Sequence, residues 1–291
     1  MLFSVIIPTY NRLHLLKQTI GSLMKQTISD FEIIVVDDGS EDGTAEYIAD
    51  IEKDGSIIPV FQSNRGPAAA RNAGLKRARG TYIAFTDDDC VVPSDWLYQF
   101  HKHFTIEKIA GVGGSSETGN PHNLFALAND MIVNFLKSEL NLNYKFNPPF
   151  LTSNNTAYVK TNLDAVNGFD ECYFIGAEER DLNYRIFLHG GKLIYDPAVV
   201  VGHFNDSGLN KFLKHQFDQG KGSRRFYTNI LKKHGEKPAM IPARVYRKMF
   251  LHPFKAEGFG RATGLFLLFV LAQVAITIGY FYAALTSRKG R

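Results

Sequence analysis

The sequence predicts an α/β fold, with a mainly parallel sheet covered by helices on both faces and one transmembrane helix after it. Three observations predict this architecture. Short apolar segments alternate with amphipathic segments over roughly the first 85 residues, and only brief loops separate them. Polar and acidic residues follow the apolar segments directly. A long apolar run, Gly264 to Leu285, stands near the carboxyl end.

Four buried strands are predicted in the first part of the chain. Parallel strands that are buried on both faces have this near-continuous apolar character. They cover Phe3 to Ile7, Glu32 to Val36, Ile57 to Phe61 and Thr81 to Phe85. Between them, apolar residues recur at helical spacing, as at Leu13, Leu16 and Ile20, and Ala68 to Ala78 predicts a helix of small residues. The carboxyl ends of such strands share one sheet edge, where ligands bind.

The second part of the chain changes its pattern after Pro93. Its predicted elements are a helix from Leu124 to Leu136, a strand from Thr156 to Val159, a turn from Asn167 to Asp170, a helix from Asp181 to Leu188 and a strand from Lys192 to Val201. The last strand leads to His203.

The apolar run near the carboxyl end has the length of a membrane span. At about 1.5 Å per residue, Gly264 to Leu285 extends roughly 30 Å, the thickness of the hydrocarbon core. A buried core helix is the alternative. Basic residues flank the run at Arg261 and in the tail 286–291. The preceding segment, Ile241 to Phe254, mixes apolar and basic residues, which is typical of a helix lying on anionic lipid.

Charge and cysteine content narrow the functional classes. A net charge of +4 suits phosphate-bearing ligands or an anionic membrane and is too small to predict nucleic-acid binding. Cys90 and Cys172 lie far apart and predict neither a disulfide framework nor a cysteine metal pair. The first residues lack the basic region of a signal peptide, so the catalytic part is expected in the cytosol.

Three consecutive acids, Asp87 to Asp89, give the strongest chemical signal. Such a cluster repels itself unless a cation or hydrogen-bond donors neutralise it. Carboxylates are preferred ligands of Mg²⁺ and Mn²⁺, which can bridge a protein to a diphosphate. Two alternatives remain open: a solvated acidic turn, and a phosphotransfer site with Asp87 as nucleophile, because residues 87–91 fit a loose phosphatase pattern. A second acidic pair, Asp37 and Asp38, is predicted at the same edge.

A set of motifs in a fixed order carries a family resemblance. They are SVIIPTYN at 4–11, VVDDGS at 35–40, NRG at 64–66, ARNAG at 70–74, DDD at 87–89, GFDE at 168–171, EERDL at 178–182, and His203. Together they resemble family 2 glycosyltransferases of the GT-A fold over roughly residues 4–207. The ordered set is more specific than any single motif.

The resemblance implies a site for a nucleotide diphosphate sugar and a divalent cation, Mn²⁺ or Mg²⁺. The donor-binding residues would be Pro8, Thr9, Tyr10, Asp38, Arg71, Asp87 and Asp88. Within this set, Tyr10 would lie against the nucleobase and Asp38 would accept a hydrogen bond from uracil. The metal ligands would be Asp89, Asp87 and His203.

The resemblance also implies a catalytic base. Inverting transfer needs a carboxylate to take the proton of the acceptor hydroxyl as that oxygen attacks the anomeric carbon. The matching position is Glu179, where the family's common motif has aspartate, and Glu178 competes for the role. Candidates for acceptor or diphosphate contacts are Asn155, Glu178, Asp181 and Arg224. A solvated basic loop or a lipid contact is the alternative for the segment around Arg224.

The expected protein is an inverting, metal-dependent hexosyl- or N-acetylhexosaminyl-transferase. It would use a UDP-sugar and a glycan or lipid-linked acceptor in cell-envelope polysaccharide synthesis; a non-catalytic membrane scaffold is the alternative. The predicted divisions are a nucleotide-sugar half at 1–92, an acceptor half at 93–226, an amphipathic segment at 227–261, a transmembrane helix at 262–285 and a basic tail at 286–291. The catalytic part would lie on the cytosolic side of the cytoplasmic membrane.

Overall fold

The computed structural model describes residues 1–106, 108–143, 147–173, 176–205, 207–232, 234–235 and 241–286. The chain forms two compact units. The first comprises Met1–Glu117, Lys145–Phe174 and Glu178–Phe204, and the second comprises Thr118–Tyr144, Ile175–Ala177 and Asn205–Arg291. The functional division near residue 92 stays a prediction. Of the predicted basic tail, all but its first residue lies outside the described part of the chain.

The helices and strands are numbered here in chain order. The strands are β1 (Phe3–Thr9), β2 (Phe31–Asp37), β3 (Ile58–Phe61), β4 (Tyr82–Thr86), β5 (Cys90–Val91), β6 (Gly111–Thr118), β7 (Asn155–Val159) and β8 (Leu193–His203). The helices are α1 (Leu13–Leu23), α2 (Thr44–Glu52), α3 (Pro67–Arg77), α4 (Trp96–Ile106), α5 (Leu124–Ser138), α6 (Lys160–Ala165), α7 (Glu178–Leu188), α8 (Leu209–Phe226), α9 (Ala243–Leu251), α10 (Pro253–Ala256) and α11 (Phe259–Thr286). Wider π-type turns continue α5 over Glu139–Asn143 and α8 over Tyr227–Leu231.

The strands form one sheet in the order β3-β2-β1-β4-β7-β6-β8-β5. The pairs β1–β2, β1–β4 and β2–β3 are parallel. In contrast, β7 runs antiparallel to both β4 and β6, and β5 runs antiparallel to β8. The parallel arrangement predicted for the first four strands is therefore confirmed, and the strands that follow β4 make the whole sheet mixed.

Successive side chains of β1 enter two different cores, one on each face of the sheet. Val5 and Ile7 pack in a cluster with residues of α1 and α4, including Trp96. Ile6 packs in the other cluster with residues of α3 and α7, including Leu182. Helices on both faces of the sheet are thus confirmed.

Helix α3 lies unusually close to the sheet, which explains its small residues. A Cβ added at Gly74 would lie 2.5 Å from Cγ2 of Ile6. The helix begins directly after Gly66, whose φ of 86° is readily adopted only by glycine. Because α3 starts at the carboxyl edge of the sheet, its first turns carry Arg71 to the acids that follow β4.

Three elements differ from the sequence-based expectation. No helix was expected where α4 begins at Trp96, and no strand at the glycine-rich β6. The basic-loop alternative for the segment around Arg224 is wrong, because these residues lie in α8. The helix predicted from Leu124 and the strand predicted from Thr156 are present as α5 and β7.

The second unit is helical and has its own core. Its buried apolar residues come from α5, α8, α9 and α11: Leu127, Ala128, Ile132, Phe212, Met249, Leu265, Leu268, Phe269 and Ala272. Helix α11 has 28 residues and a mean hydropathy of 2.1 over its most apolar window. Within the described residues it is the one helix long and apolar enough to cross a membrane.

Helices α8 and α11 approach each other to backbone distance. A Cβ at Gly220 of α8 would collide with the carbonyl oxygen of Ile276, and a Cβ at Gly279 of α11 would collide with that of Phe217. Small residues permit such close packing between helices. The two helices therefore pack with their backbones in direct contact.

Candidate active site

The carboxyl ends of β1, β2 and β4 lie side by side at one edge of the sheet. Thr9 ends β1 and Asp37 ends β2, while the acids Asp87 to Asp89 directly follow β4. Oγ1 of Thr9 donates a hydrogen bond to Oδ2 of Asp88 over 2.8 Å. The parallel pairing of the first strands therefore does bring the two predicted acidic segments to one edge.

Arg12 is the cation that pairs with two acids of the triplet, Asp88 and Asp89. Its Nη1 lies 3.0 Å from Oδ1 of Asp88 and 2.9 Å from Oδ2 of Asp89. Both carboxylates are buried, so an unpaired charge would be costly there. Arg12 was not predicted as a site residue from the sequence. The available signal was its place in the loop after β1, at the edge where the acids were expected.

His203 reaches Asp89 because β5 and β8 pair in antiparallel register, with Cys90 opposite His203. The backbone N–H of Phe204 donates to the carbonyl oxygen of Asp89 over 2.7 Å, and Nε2 of His203 lies 3.4 Å from Oδ1 of Asp89. Burial opposes ionisation of Asp89, but His203 and Arg12 outweigh it and hold the pKa of this carboxyl below its usual range. Asp89 is therefore ionised at neutral pH.

The residues around Asp89 fit a hard divalent cation. One possible ligand atom each from Asp89, Cys90 and His203 lie within 4.8 Å of one another. Burial raises the pKa of the Cys90 thiol well above its usual value, so this group stays protonated and is a poor ligand. The carboxylate and the imidazole remain, a donor set that suits Mn²⁺ or Mg²⁺ completed by oxygen atoms of another molecule.

Arg71 connects the triplet to α7. Its Nη2 lies 2.7 Å from Oδ1 of Asp87, and its Nη1 lies 3.4 Å from Oε1 of Glu178. The guanidinium is buried and also stands over the ring of Phe169 at 5.6 Å. A fixed, buried arginine thus spans the gap between the acids after β4 and the acids that begin α7.

Glu178 and Glu179 form an acidic pair at the start of α7, where Glu178 is buried and Glu179 is half-buried. Oε2 of each carboxyl is buried and has no hydrogen-bond partner among the described residues. Burial, together with the neighbouring charge of Glu178, raises the pKa of Glu179 to about 8. A carboxyl with such a pKa can hold or release a proton near neutral pH, which is what a general base requires.

The raised pKa of Glu179 makes a prediction about stability. From its ordinary pKa of 4.5 up to about 8, the folded state retains a proton that the unfolded state releases. The contribution of Glu179 to stability is therefore greatest below about pH 4.5 and declines as pH rises toward 8. We expect Glu179→Gln to raise Tm relative to the native chain by about 2 °C or more at pH 8, and by little at pH 4.5.

Thermal unfolding of both proteins across this pH range, followed by circular dichroism, measures the difference. Glu46→Gln, a change at an exposed acid of α2, is the control and should show no such trend. A Tm difference that does not grow with pH would contradict the assignment of the proton to Glu179.

Asp38 organises the turn between β3 and α3. Its Oδ1 accepts hydrogen bonds from Nε2 of Gln62 at 2.6 Å and from the N–H of Arg65 at 2.9 Å, and its Oδ2 accepts from the N–H of Gly66 at 2.8 Å. A carboxylate offers about four acceptor positions, so one on Oδ2 remains. Tyr10, at the same edge, is 45% exposed and offers a ring face to a ligand.

Asn155 has a structural role. Its Oδ1 accepts from Nε1 of Trp96 at 2.8 Å, and its Nδ2 donates to the carbonyl oxygens of Ser115 and Val199 at 2.6 and 2.9 Å. The side chain is fully buried. It ties α4 to the central strands, so its geometry gives no support to an acceptor contact.

Three other predicted site residues also make contacts that stabilise the fold. Asp181 is buried and accepts from Nε of Arg185 at 2.7 Å, which braces the first turns of α7. Arg224 belongs to the second unit, where its Nη1 lies 3.4 Å from the hydroxyl of Tyr280. Pro8 is buried within β1.

A family model described as Glycosyl transferase family 2 matches residues 4–166. The chain belongs to this family. The match includes the ends of β1, β2 and β4 and the acidic triplet, whereas Glu179 and His203 lie beyond it. Membership of a family of sugar-transferring enzymes disfavours the phosphotransfer alternative for Asp87.

Curated relatives carry the same description. The uncharacterized glycosyltransferase EpsJ of Bacillus subtilis is 47% identical over 244 residues, which are 82% of this chain and 65% of EpsJ. The uncharacterized glycosyltransferase RC0461 of Rickettsia conorii is 50% identical over 86 residues, 30% of this chain and 14% of that protein. A Campylobacter jejuni protein, GalNAc(5)-diNAcBac-PP-undecaprenol beta-1,3-glucosyltransferase, is 42% identical over 89 residues, 30% of this chain and 29% of that protein. The chain thus spans less than two thirds of each of these relatives.

Solved structures confirm the α/β fold. The mannosyltransferase PcManGT from Pyrobaculum calidifontis, in complex with GDP-Man and Mn²⁺, gives a TM-score of 0.62 at 18% identity, over 99% of this chain and 87% of that one. S. aureus TarS 1–349 in complex with UDP-GlcNAc gives 0.56 at 19% identity, over 100% of this chain and 93% of that one. At these identities the likeness establishes the fold alone.

Proposed function

We propose that the protein transfers a sugar, with inversion, from a UDP-sugar to a glycan or lipid-linked acceptor. One observation carries the proposal: Arg71 joins the acidic triplet to the acidic pair of α7 within a single unit, through Asp87 and Glu178. A site for a nucleotide diphosphate and a site for a proton acceptor thereby lie next to each other. Family membership supports sugar transfer as the reaction.

The donor occupies the carboxyl edge of the sheet. Tyr10 lies against the base, and Oδ2 of Asp38 offers its remaining acceptor position to the N–H of uracil. Asp87, the most exposed acid of the triplet, contacts the ribose or the sugar. Arg71 keeps Asp87 in place and adds positive charge beside the diphosphate.

Asp89 and His203 would hold the divalent cation, with Asp87 as a further ligand. A bound cation would offset the negative charge that the diphosphate gains as it leaves. Arg12 already pairs with Asp88 and Asp89, so the chain itself keeps these acids in place before any ligand binds. The complex of PcManGT with GDP-Man and Mn²⁺ supports this role for a metal in the fold.

Glu179 is the base. Its ionised carboxylate takes the proton from the acceptor hydroxyl while that oxygen forms its bond to the anomeric carbon and the bond to the diphosphate breaks. Burial beside Glu178 makes the carboxylate a stronger base than an exposed glutamate. The transfer therefore conserves the sugar, inverts its anomeric centre and leaves the proton on Glu179.

One relative and helix α11 support an assignment of the acceptor and the location. The name of the Campylobacter jejuni relative describes a lipid-linked glycan as its acceptor. The apolar α11 supports a location at a membrane, and nucleotide sugars are supplied in the cytosol. We therefore place the catalytic unit on the cytosolic side of the cytoplasmic membrane.

A donor screen tests the proposed function. The purified full chain with Mn²⁺ should hydrolyse a UDP-sugar slowly in the absence of acceptor, measured as released UDP, and should act less on GDP- and dTDP-sugars. The proposal would be overturned if the folded protein hydrolysed none of these donors and bound none of the nucleotides.

Asp38 makes the nucleobase assignment testable. Because a hydrogen bond to a charged group contributes about 1.5–3 kcal/mol, Asp38→Ala should raise the Kd for UDP roughly 10- to 150-fold. Calorimetric titration with UDP measures the change. Asp42→Ala is the matched control, since Asp42 lies in the same loop and also accepts backbone hydrogen bonds but is not assigned to the nucleotide. An unchanged Kd in folded Asp38→Ala would remove this residue from the site.

A further inference from the structure

Helix α11 exposes a continuous apolar surface, named here the apolar stripe. Its members recur every three or four residues, so they lie on one side of the helix. They are Leu267, Val270, Leu271, Val274, Ile278, Phe281, Tyr282 and Leu285, with exposed fractions from 37% to 67%. The stripe extends over about 27 Å at 1.5 Å per residue. A soluble protein rarely leaves so long an apolar surface uncovered.

The opposite side of α11 is occupied by the second unit's own helices. Leu265, Phe269 and Ala272 are fully buried against α5, α8 and α9. Further along, Gly279 meets the backbone of α8 at Phe217. Other helices of the second unit therefore pack against one side of α11 along most of its length. The apolar stripe is the side of α11 that they leave uncovered.

Helix α8, which packs against α11, carries charged side chains. Lys214 and Lys221 of α8 both pair with Asp218, at 2.8 and 3.0 Å, and Lys214 is exposed. These residues surround Phe217 and Gly220, where α8 touches the second half of α11. If α11 crossed a bilayer with this packing intact, α8 would enter the hydrocarbon with its charges, at a cost of several kcal/mol.

Basic side chains are exposed on α9 and α10, the two helices that precede α11. Arg244, Arg247 and Lys255 are exposed on these helices. Phe254 and Phe259 are exposed among them, at 40% and 82%. Aromatic and basic side chains in this combination bind the headgroup region of anionic membranes.

We infer that α11 lies in the plane of an anionic membrane, with the apolar stripe immersed at the level of the headgroups and upper acyl chains. The second unit is then a monotopic membrane-binding module: α11 enters one leaflet from the side, and α8 remains on the aqueous side. The inference does not depend on the sugar-transfer proposal, because it rests on the second unit alone. A helix that spans the bilayer is the competing outcome.

Depth measurements separate the two orientations. Single cysteines are placed at the start, middle and end of the stripe by Leu267→Cys, Val274→Cys and Phe281→Cys, in a chain that also carries Cys172→Ser. Each is labelled with an environment-sensitive fluorophore, and the full chain is bound to vesicles of phosphatidylcholine and phosphatidylglycerol. Brominated lipids of known bromine depth then quench each label.

We expect all three labels to lie at the same shallow depth, about 5–10 Å below the headgroup boundary. A spanning helix would instead place the label at residue 274 near the bilayer centre, roughly 15 Å deep, with the other two nearer the surfaces. That result would overturn the inference. Labels that stay unquenched because the chain associates with itself through the stripe would overturn it as well.

A charge on the stripe gives an independent test. Ile278→Glu should lower partition of the full chain into these vesicles by about tenfold or more, because burial of one such side chain contributes on that order. Ile106→Glu is the matched control, since Ile106 is 77% exposed on the first unit and should not enter the membrane. Circular dichroism confirms that both variants fold. Equal partition of the two variants would contradict the inference.

Discussion

Replacing Glu179 with glutamine is expected to lower turnover by about 10²–10⁴-fold and to leave donor binding intact. Glutamine keeps the shape of the side chain but cannot accept the proton of the attacking hydroxyl. Release of UDP from a UDP-sugar measures turnover, and calorimetric titration with UDP measures binding. For the native chain, the logarithm of kcat/KM should rise with pH up to about 8 and then level off, because only ionised Glu179 acts as a base.

Glu178→Gln is the matched control for this experiment. It removes the neighbouring carboxylate, which contacts Arg71, and should reduce turnover much less. It should also shift the pH profile to lower pH, because loss of the adjacent negative charge lowers the pKa of Glu179. If Glu178→Gln were the inactive variant and Glu179→Gln the active one, the base would be Glu178.

Asp89→Asn is expected to reduce sugar transfer by about 10²–10³-fold or more, because the cation loses its main charged ligand. Asparagine keeps the size of the side chain and an acceptor for His203, so the fold should persist. Titration with Mn²⁺ in the presence of UDP should show weakened metal binding, a readout that does not depend on catalysis. EDTA should inactivate the native chain, and added Mn²⁺ should restore its activity.

Asp50→Asn is the matched control for the metal experiment. Asp50 is an exposed acid of α2 that pairs with Lys53 at the surface, so the change removes a carboxylate of no expected function. It should leave both Mn²⁺ binding and turnover unchanged. Full activity of the native chain in EDTA would contradict a metal-dependent transfer.

The first half of the sheet was predictable because its signals are local. Strands buried on both faces need apolar residues in sequence, and Ile33 to Val36 satisfies this need without reference to the rest of the chain. Loops between parallel strands and helices are short, so the alternation itself indicates the sheet. The convergence of Asp38 and Asp87 on one edge then follows from topology.

The missed elements depend on distant partners. The glycines of β6 suggest a loop, yet β6 pairs with β7, and a Cβ at Gly113 would lie 2.6 Å from Cδ2 of Leu151. Similarly, Gly220 and Gly222 each disfavour a helix by about 1 kcal/mol, but α8 needs them for its close contacts. Packing against distant residues determines the secondary structure of these segments, and no pattern within the segments indicates that packing.

In the candidate active site, too, residues with a local sequence signal were predictable and residues that depend on distant partners were not. The acids were recognisable because they are adjacent in the sequence and end a strand. Arg12 was not, because its partner Asp88 lies 76 residues away and a single arginine in a loop has no pattern. The buried hydrogen bonds of Asn155 were likewise not predictable, since they join α4 through the indole N–H of Trp96 and join β6 and β8 through backbone carbonyls that any residue could supply.

The pairing of β5 with β8 has a consequence for the order in which the protein is built on the ribosome. Asp89 emerges early, but its partner His203 is synthesised more than a hundred residues later, and β4 also waits for β7. A nascent chain that ends near residue 92 presents an unpaired β4 edge and an incomplete acidic site. The first 92 residues therefore hold most of the predicted donor contacts but are not a folding unit, and the site is finished only when β8 has joined the sheet.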